Sequence, residues 1–421
     1  MMRLQGGCLS AIALAIAGCN AEPSSVPRPA INQPHSQIIE RSNKLALDIY
    51  GELRKSPGNL VLSPYGVSAS LAMLLAGADG PTRKEIHTAL DISFNEEHAF
   101  HAAQGELLRW LSSDDDRRSH RLNIASAIFT QHDQDPLIAF VKLLETHYAA
   151  QPHLVDFVSQ PATARKVIND WAAEKTRDKI SEVVAPEEVS SQSRLVLASA
   201  VYFKGQWEQA FDPSRTKPAA FYLSADDKLD APMMHQNQKF AFVQVDGARV
   251  LIMPYRGDEL SMALVLPDKN DGLGAIEEQL DVAVLTRWLD SAAKNVVRLP
   301  VSIPKFKFDD SHDLEAAFKR LGMLTVFDPT AADFSRIDGV RPTAANAGDR
   351  LFVDRIRQRA MIDVNEEGTE AAAVTTTTTE TSKASRDAPS FRADHPFLFL
   401  IRENSTGLIL FLGRVVDPSK A

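Results

Sequence analysis

Fourteen consecutive residues, Thr369 to Ser382 (TEAAAVTTTTTETS), carry almost no apolar surface, yet they interrupt a chain that elsewhere reads as core-forming. Such a stretch cannot build a core of its own and is expected to be exposed and mobile. A low-complexity linker is one reading. Its position argues for another: strand-like Leu351 to Val364 precedes it, and two apolar runs, Phe397 to Ile401 and Leu408 to Leu412, follow. Extended as a strand, its alternate side chains face opposite ways. Thr369, Ala371, Ala373, Thr375, Thr377, Thr379 and Thr381 then share one face, all small and uncharged, while Glu370 and Glu380 fall on the other. One face can enter a sheet without desolvating a charge. Threonine favours strand over helix, so the segment is ready to become a strand without being forced into one.

The remaining chain reads as one large mixed domain. Ile38, Ile39, Leu45, Ala46 and Ile49 recur at helical spacing from Gln37 onward, and Leu60 to Leu62 is a short buried strand stopped by Pro64. Ser68 to Ala76 (SASLAMLLA) is apolar on nearly every side and predicts a buried helix. Ala162 to Ile180 is an amphipathic helix, and Arg194 to Phe203 a strand covered on both faces. Val250 to Tyr255, Ser261 to Leu266 and Asn295 to Pro304 predict strands, Asp313 to Leu321 a helix. The two C-terminal apolar runs form a hairpin across Arg402 to Gly407. The net charge of -9 argues against a general nucleic-acid binder, which needs a basic face.

Residues 1 to 19 (MMRLQGGCLSAIALAIAGC) place Arg3 before an apolar run from Leu9 to Ala17, too short for a permanent membrane helix and suited to an export signal. Ile16-Ala17-Gly18-Cys19 resembles the lipobox of bacterial lipoproteins, which implies lipid on Cys19, removal of residues 1-18, and attachment to a bacterial membrane facing periplasm or extracellular space. An ordinary signal peptide with a chance cysteine is the alternative. Residues 19-36, rich in proline and polar groups, read as a disordered tether, and residues 37-421 as the folded domain. Cys8 and Cys19 are the two cysteines, so the mature fold is expected to lack a disulfide.

Enzymatic chemistry has no foothold. The chain lacks a G-x-S-x-G elbow, an H-E-x-x-H pair, a phosphate-binding glycine loop and a dinucleotide fingerprint. His98 and His101 are spaced to share a helix face, but with no third ligand in sight a solvated face is expected rather than a metal site. Asp114 to Asp116, followed by Arg117 and Arg118, lacks the glycine and closing glutamate of a calcium loop. Asn404-Ser405-Thr406 matches a glycosylation sequon by letter alone.

Glu366-Glu367-Gly368-Thr369-Glu370-Ala371-Ala372-Ala373 resembles the hinge that opens the reactive loop of serpins. It is joined in family order by Asn59 to Pro64, Tyr202 to Trp207, Phe391 to Phe397 and Phe411 to Pro418, so the resemblance spans residues 37 to 418. It implies an α+β fold of three β-sheets with about eight or nine helices and an exposed reactive-centre loop at about residues 366-390, acting by loop insertion into a sheet. It further implies an irreversible suicide-substrate inhibitor of a serine protease. The target attacks the loop, forms an acyl-enzyme, and is trapped as the severed loop becomes a strand of the large sheet. Catalytic groups belong to the target, and the resemblance implies a monomer with no cofactor and no metal.

By family spacing the scissile residue lies fourteen positions past Gly368, at Ser382, with the cut before Lys383. Ser382 suits an elastase-like or subtilisin-like protease, Lys383 a trypsin-like one, and Arg386 is a third, less favoured bait. Trp207 takes the family's breach position, where the hinge first enters. The shutter departs from the family: Ser199 and Gln358 stand where an asparagine and a histidine usually pair, and a substitute pair with Ser63 nearby is expected. A non-inhibitory binding or chaperone protein on the same fold is the main rival, an unrelated hydrolase a distant third.

Overall fold

The computed structural model describes residues 28–113, 118–133, 135–245, 247–343, 350–369 and 389–420. In chain order its strands are β1 (Leu60–Leu62), β2 (His120–Gln131), β3 (His153–Val155), β4 (Leu195–Gln206), β5 (Lys217–Tyr222), β6 (Lys228–Val245), β7 (Ala248–Pro254) and β8 (Leu260–Pro267). They continue as β9 (Val296–Pro304), β10 (Phe306–Asp313), β11 (Val353–Val364), β12 (Gly368–Thr369), β13 (Phe391–Arg392), β14 (Phe397–Glu403) and β15 (Ile409–Val415). The helices are α1 (Gln33–Leu53), α2 (Pro64–Gly77), α3 (Gly80–Ala89), α4 (Glu97–Leu111), α5 (Ile138–Tyr148), α6 (Pro161–Thr176), α7 (Leu273–Glu278), α8 (Val282–Ala293), α9 (Glu315–Arg320) and α10 (Ser335–Asp338). Three of these, α7, α9 and α10, have six residues or fewer, so the expected count of eight or nine differs by single turns.

One sheet has the order β10-β11-β12-β4-β2-β3. The other runs β1-β15-β14-β8-β7-β6-β9-β13, with β5 on β6. Three sheets therefore resolve into two hydrogen-bonded ladders among the described residues, because one strand serves two of them. β6 is 18 residues long; Ala241 to Val245 pair with β7, Met233 to Ala241 with β9, and Lys228 to Met233 with β5.

Apolar patterning explains the layering. All fourteen residues of α2 are buried, which requires cover on every side. The main core joins this helix to β4, β11 and the closing strands β14 and β15, and a second core lies under α6, built from Phe129, Ile168, Trp171, Val196, Ala198 and Ala200. The six-stranded sheet is thus buried on both faces along β4, as its continuous apolar run predicts, while edge strand β10 exposes Lys307, Asp309 and Ser311.

The N-terminal boundary needs correction. α1 begins at Gln33, not Gln37, because Asn32 caps it: its Oδ1 accepts from His35 N at 3.3 Å, and Pro34 sits in the first turn. The tether expected through Ser36 ends at least eight residues sooner, since Arg28 already touches the body.

Close packing leaves one position no freedom. A Cβ on Gly413 in β15 would lie 2.1 Å from Leu60 O and 2.6 Å from Phe399 Cζ. Gly413→Ala is expected to push β1 off β15 and to lower stability by about 2–3 kcal/mol, read as a lower urea midpoint of the intact protein with an unchanged far-UV spectrum.

Candidate functional site: hinge, breach and shutter

The hinge is seated in the sheet before any cleavage. After β11 the chain turns back through Asn365 to Gly368, closed by Asn365 N donating to Gly368 O at 2.9 Å and by Glu367 N donating to Asn365 Oδ1 at 3.0 Å. It then re-enters as β12, antiparallel both to β11 (Thr369 opposite Val364) and to β4 (Thr369 opposite Gly205, Gly368 opposite Gln206). A side chain could not follow at residue 368, where a Cβ would lie 2.0 Å from Gly205 O. The expected glycine is therefore needed for close approach between strands.

Thr369 is fully buried, and its Oγ1 lies 2.7 Å from the Tyr255 hydroxyl. The first member of the small, uncharged face is thus directed inward, as the alternation required. Burial pushes the Tyr255 phenol far above its ordinary pKa, so this hydroxyl stays a neutral partner. Trp207 stacks on Tyr255 at 4.6 Å between centroids and 11° between planes, and its Nε1 donates to Asn365 O at 3.0 Å. Two further backbone bonds hold the turn: Trp207 N to Glu367 O at 2.9 Å and Phe211 N to Glu366 O at 2.7 Å. Trp207 thus lies against the turn that leads into β12.

Glu366 is anchored from the side. Its carboxylate accepts from Thr216 Oγ1 at 2.8 Å and pairs with Lys305 Nζ at 2.9 Å. Burial pushes its pKa up, but the Lys305 and Thr216 hydrogen bonds more than offset this and hold it below the ordinary glutamate value.

Beyond β12, β11 and β4 pair directly and in parallel over eight residue pairs, from Val353 opposite Leu195 to Met361 opposite Tyr202. This seam is where further insertion must occur. Gln358 and Ser199 are opposite one another in it, and both approach the start of α2: a Cβ on Gly66 would lie 3.1 Å from Gln358 Nε2 and 3.2 Å from Ser199 Oγ.

The expected Ser199–Gln358 hydrogen bond does not form. Gln358 instead uses both ends of its amide on the main chain of Ser63, accepting from Ser63 N at 2.8 Å and donating to Ser63 O at 2.8 Å. Ser63 Oγ donates to Leu410 O at 2.7 Å. Ser199 Oγ is buried without a hydrogen-bond partner among the described residues. The physical reason is geometric: a strand neighbour presents one hydroxyl, whereas the β1–α2 junction presents a donor and an acceptor that match an amide. The shutter clamp therefore joins β11 to the junction beneath the sheet, not β11 to β4.

The two histidines do not share a face. His98 is exposed, while His101 is buried and its Nδ1 lies 2.6 Å from the Tyr148 hydroxyl. Burial lowers the His101 pKa, and no group of three possible metal ligands occurs among the described residues. Cys19, Glu370, Ala371, Ala372, Ala373, Ser382, Lys383, Arg386 and the aspartates at 114 to 116 lie outside the described residues.

Because Gln358 carries the clamp, Gln358→Leu leaves a buried donor and acceptor unpaired and is expected to cost about 2–4 kcal/mol. Ser199→Ala removes no hydrogen bond and is expected to stay within about 0.5 kcal/mol. Chemical denaturation of both variants checks the assignment; equal losses would restore the Ser199–Gln358 pair.

The comparisons with known proteins agree with this geometry. The family model described as "Serpin (serine protease inhibitor)" matches residues 40–418. Leukocyte elastase inhibitor from Homo sapiens is 35% identical over 392 residues, 91% of this chain and 100% of the relative. Among solved structures, human glycosylated kallistatin aligns with a TM-score of 0.81 at 28% identity, covering 93% of this chain and 100% of that one. Serpin48 from the insect Tenebrio molitor aligns with a TM-score of 0.78 at 29% identity, covering 92% and 100%. With a hinge already wedged into a parallel seam and the family match running through nearly the whole sequence, this chain belongs to the serpin family.

Proposed function

We propose that this serpin is an irreversible suicide-substrate inhibitor of a serine protease, and not an enzyme. The observation that carries the reading is the position of β12 between the upper ends of β11 and β4, with Thr369 buried below Tyr255 and a parallel seam ahead. Cleavage beyond the hinge frees the segment to continue along that seam. Each step replaces one parallel pairing by two antiparallel ones, which are the more stable kind per residue. Ten to twenty new backbone hydrogen bonds at about 1 kcal/mol each give a driving force comparable with the stability of a whole domain. Thr369 to Ser382, extended, spans roughly 45 Å, enough to drag an acylated protease along the body.

Ser382 is the favoured scissile residue, with a target of the elastase or subtilisin kind; Lys383 would mark a trypsin-like target, and Arg386 is the remaining bait. The relative's name, leukocyte elastase inhibitor, supports the first class. A lipid on Cys19, following export and removal of residues 1-18, attaches the protein to a membrane; the lipobox-like Ile16 to Cys19 supports this. The second reading, a non-inhibitory binding protein on the same fold, loses ground to the hinge itself, since none of Thr369, Ala371 and Ala373 is bulky or charged.

The test is to mix the purified protein with elastase, subtilisin and trypsin. An SDS-stable complex is expected, with the cut located by mass spectrometry and the cleaved protein melting well above the intact one. Thr369→Arg would have to bury an unpaired charge under Tyr255, so the complex is expected to vanish while cleavage continues at a similar rate. A cleaved form no more heat-stable than the intact one would favour the non-inhibitory reading.

A further inference from the structure

The first described residue is held to the body. Arg28 lies over the Trp110 ring, 5.2 Å from its centroid, with a guanidinium nitrogen 3.6 Å from Glu403 Oε1. Both partners are buried, Trp110 at the end of α4 and Glu403 at the end of β14. The Glu403 carboxylate is fixed in place by Ser405 Oγ at 2.7 Å and Thr406 N at 2.7 Å. A cation over an indole face and beside a desolvated carboxylate is a stronger contact than an exposed ion pair.

Glu403 sits at the hinge end of the molecule. It pairs with Leu260 across the ladder, Leu260 O accepts from Tyr255 N at 3.0 Å, and Tyr255 meets Thr369. Two ladder spacings and one tyrosine put Glu403 within about 20 Å of the hinge. Asn404 ties the same turn to the neighbouring hairpin, its N donating to Glu259 O at 2.9 Å and its Nδ2 to Asp258 O at 2.8 Å. The opposite pole, beyond the start of β4 near Ser191, is a twelve-residue strand away, about 40 Å.

We propose that Arg28 latches the N-terminal arm to the breach pole, so that a lipid on Cys19 holds this end of the inhibitor toward the bilayer. The orientation rests on the lipid-anchor reading given above. From Cys19 to Arg28 the chain can reach at most about 30 Å, against about 50 Å were it free as far as Gln33. The latch therefore sets both the exit point and the length of the tether. The hinge is presented near the membrane surface, and Ser191 faces away from it.

The lipidated protein tests this directly, because its one mature cysteine is consumed by lipid and a single introduced thiol can be labelled. A donor dye at Glu259→Cys or Ser191→Cys is read against rhodamine-lipid in vesicles. Transfer is expected to be several-fold stronger at 259 than at 191, and Arg28→Ala to shrink that ratio at least twofold. Equal transfer at both sites, or a ratio that Arg28→Ala leaves unchanged, overturns the proposal. Failure of the anchor reading shows separately, as a free Cys19 thiol and no vesicle binding, and removes the orientation. In the lipid-free chain, spin labels on Cys19 and Glu259→Cys then read the latch alone: a bounded distance that broadens in Arg28→Ala supports it, and an unaltered distribution refutes it.

Discussion

The seam between β4 and β11 has to hold in the intact protein and yield to one particular strand, and most of the structure is arranged around that double requirement. Parallel pairing is the weaker kind, and here it sets small residues of β4 against long polar ones of β11: Ala198, Ser199 and Ala200 opposite Arg357, Gln358 and Arg359. Resistance to opening comes chiefly from beneath. Gln358 grips the main chain of Ser63 at both its donor and its acceptor, so β11 cannot move away from β4 without also leaving the β1–α2 junction. A buried amide bonded at both its oxygen and its nitrogen is worth keeping, and its loss would strand two main-chain groups in an apolar surrounding.

That junction can serve as a fixed point because the parts below it are rigid. α2 is buried along its whole length, β1 is sealed against β15 at a position where Gly413 admits no Cβ, and β14 and β15 are buried at nearly every residue. The moving parts are few by comparison: β12, the turn Asn365 to Gly368, and the seam. Chain connectivity thus divides the domain into a ladder of nine strands that stays put and a ladder of six that admits another.

Sequence patterns made the rigid parts legible and the clamp illegible. Continuous apolar runs identified β1, α2, β4 and the closing hairpin within a few residues, since burial on every side leaves a compositional mark. α6 ends at Thr176, four residues before the amphipathic pattern does, because Arg177 and Asp178 adopt left-handed backbone that the pattern does not encode. β6 carries Gln236, Asn237, Gln238 and Lys239 in mid-strand and changes partners twice, so no single alternation describes it. The family spacing brought Ser63, Ser199 and Gln358 to one place, but which of them bond depends on backbone groups, and those are invisible in side-chain identity. His101 was missed as a core residue for a similar reason: its partner Tyr148 comes from α5, far along the chain.

The Thr369–Tyr255 contact does more than cover the hinge. A strand has a side-chain period of two, so fixing which way one residue points fixes every other residue in the same strand. With Thr369 inward, continued insertion must bring Ala371, Ala373 and the odd-numbered threonines inward and leave Glu370 and Glu380 on the opposite face. A slip of one residue would drive both carboxylates toward the core, at a cost of several kcal/mol for each ion left unpaired. In the intact protein the buried Thr369–Tyr255 hydroxyl pair therefore sets the side-chain parity that any strand continuing from β12 would inherit.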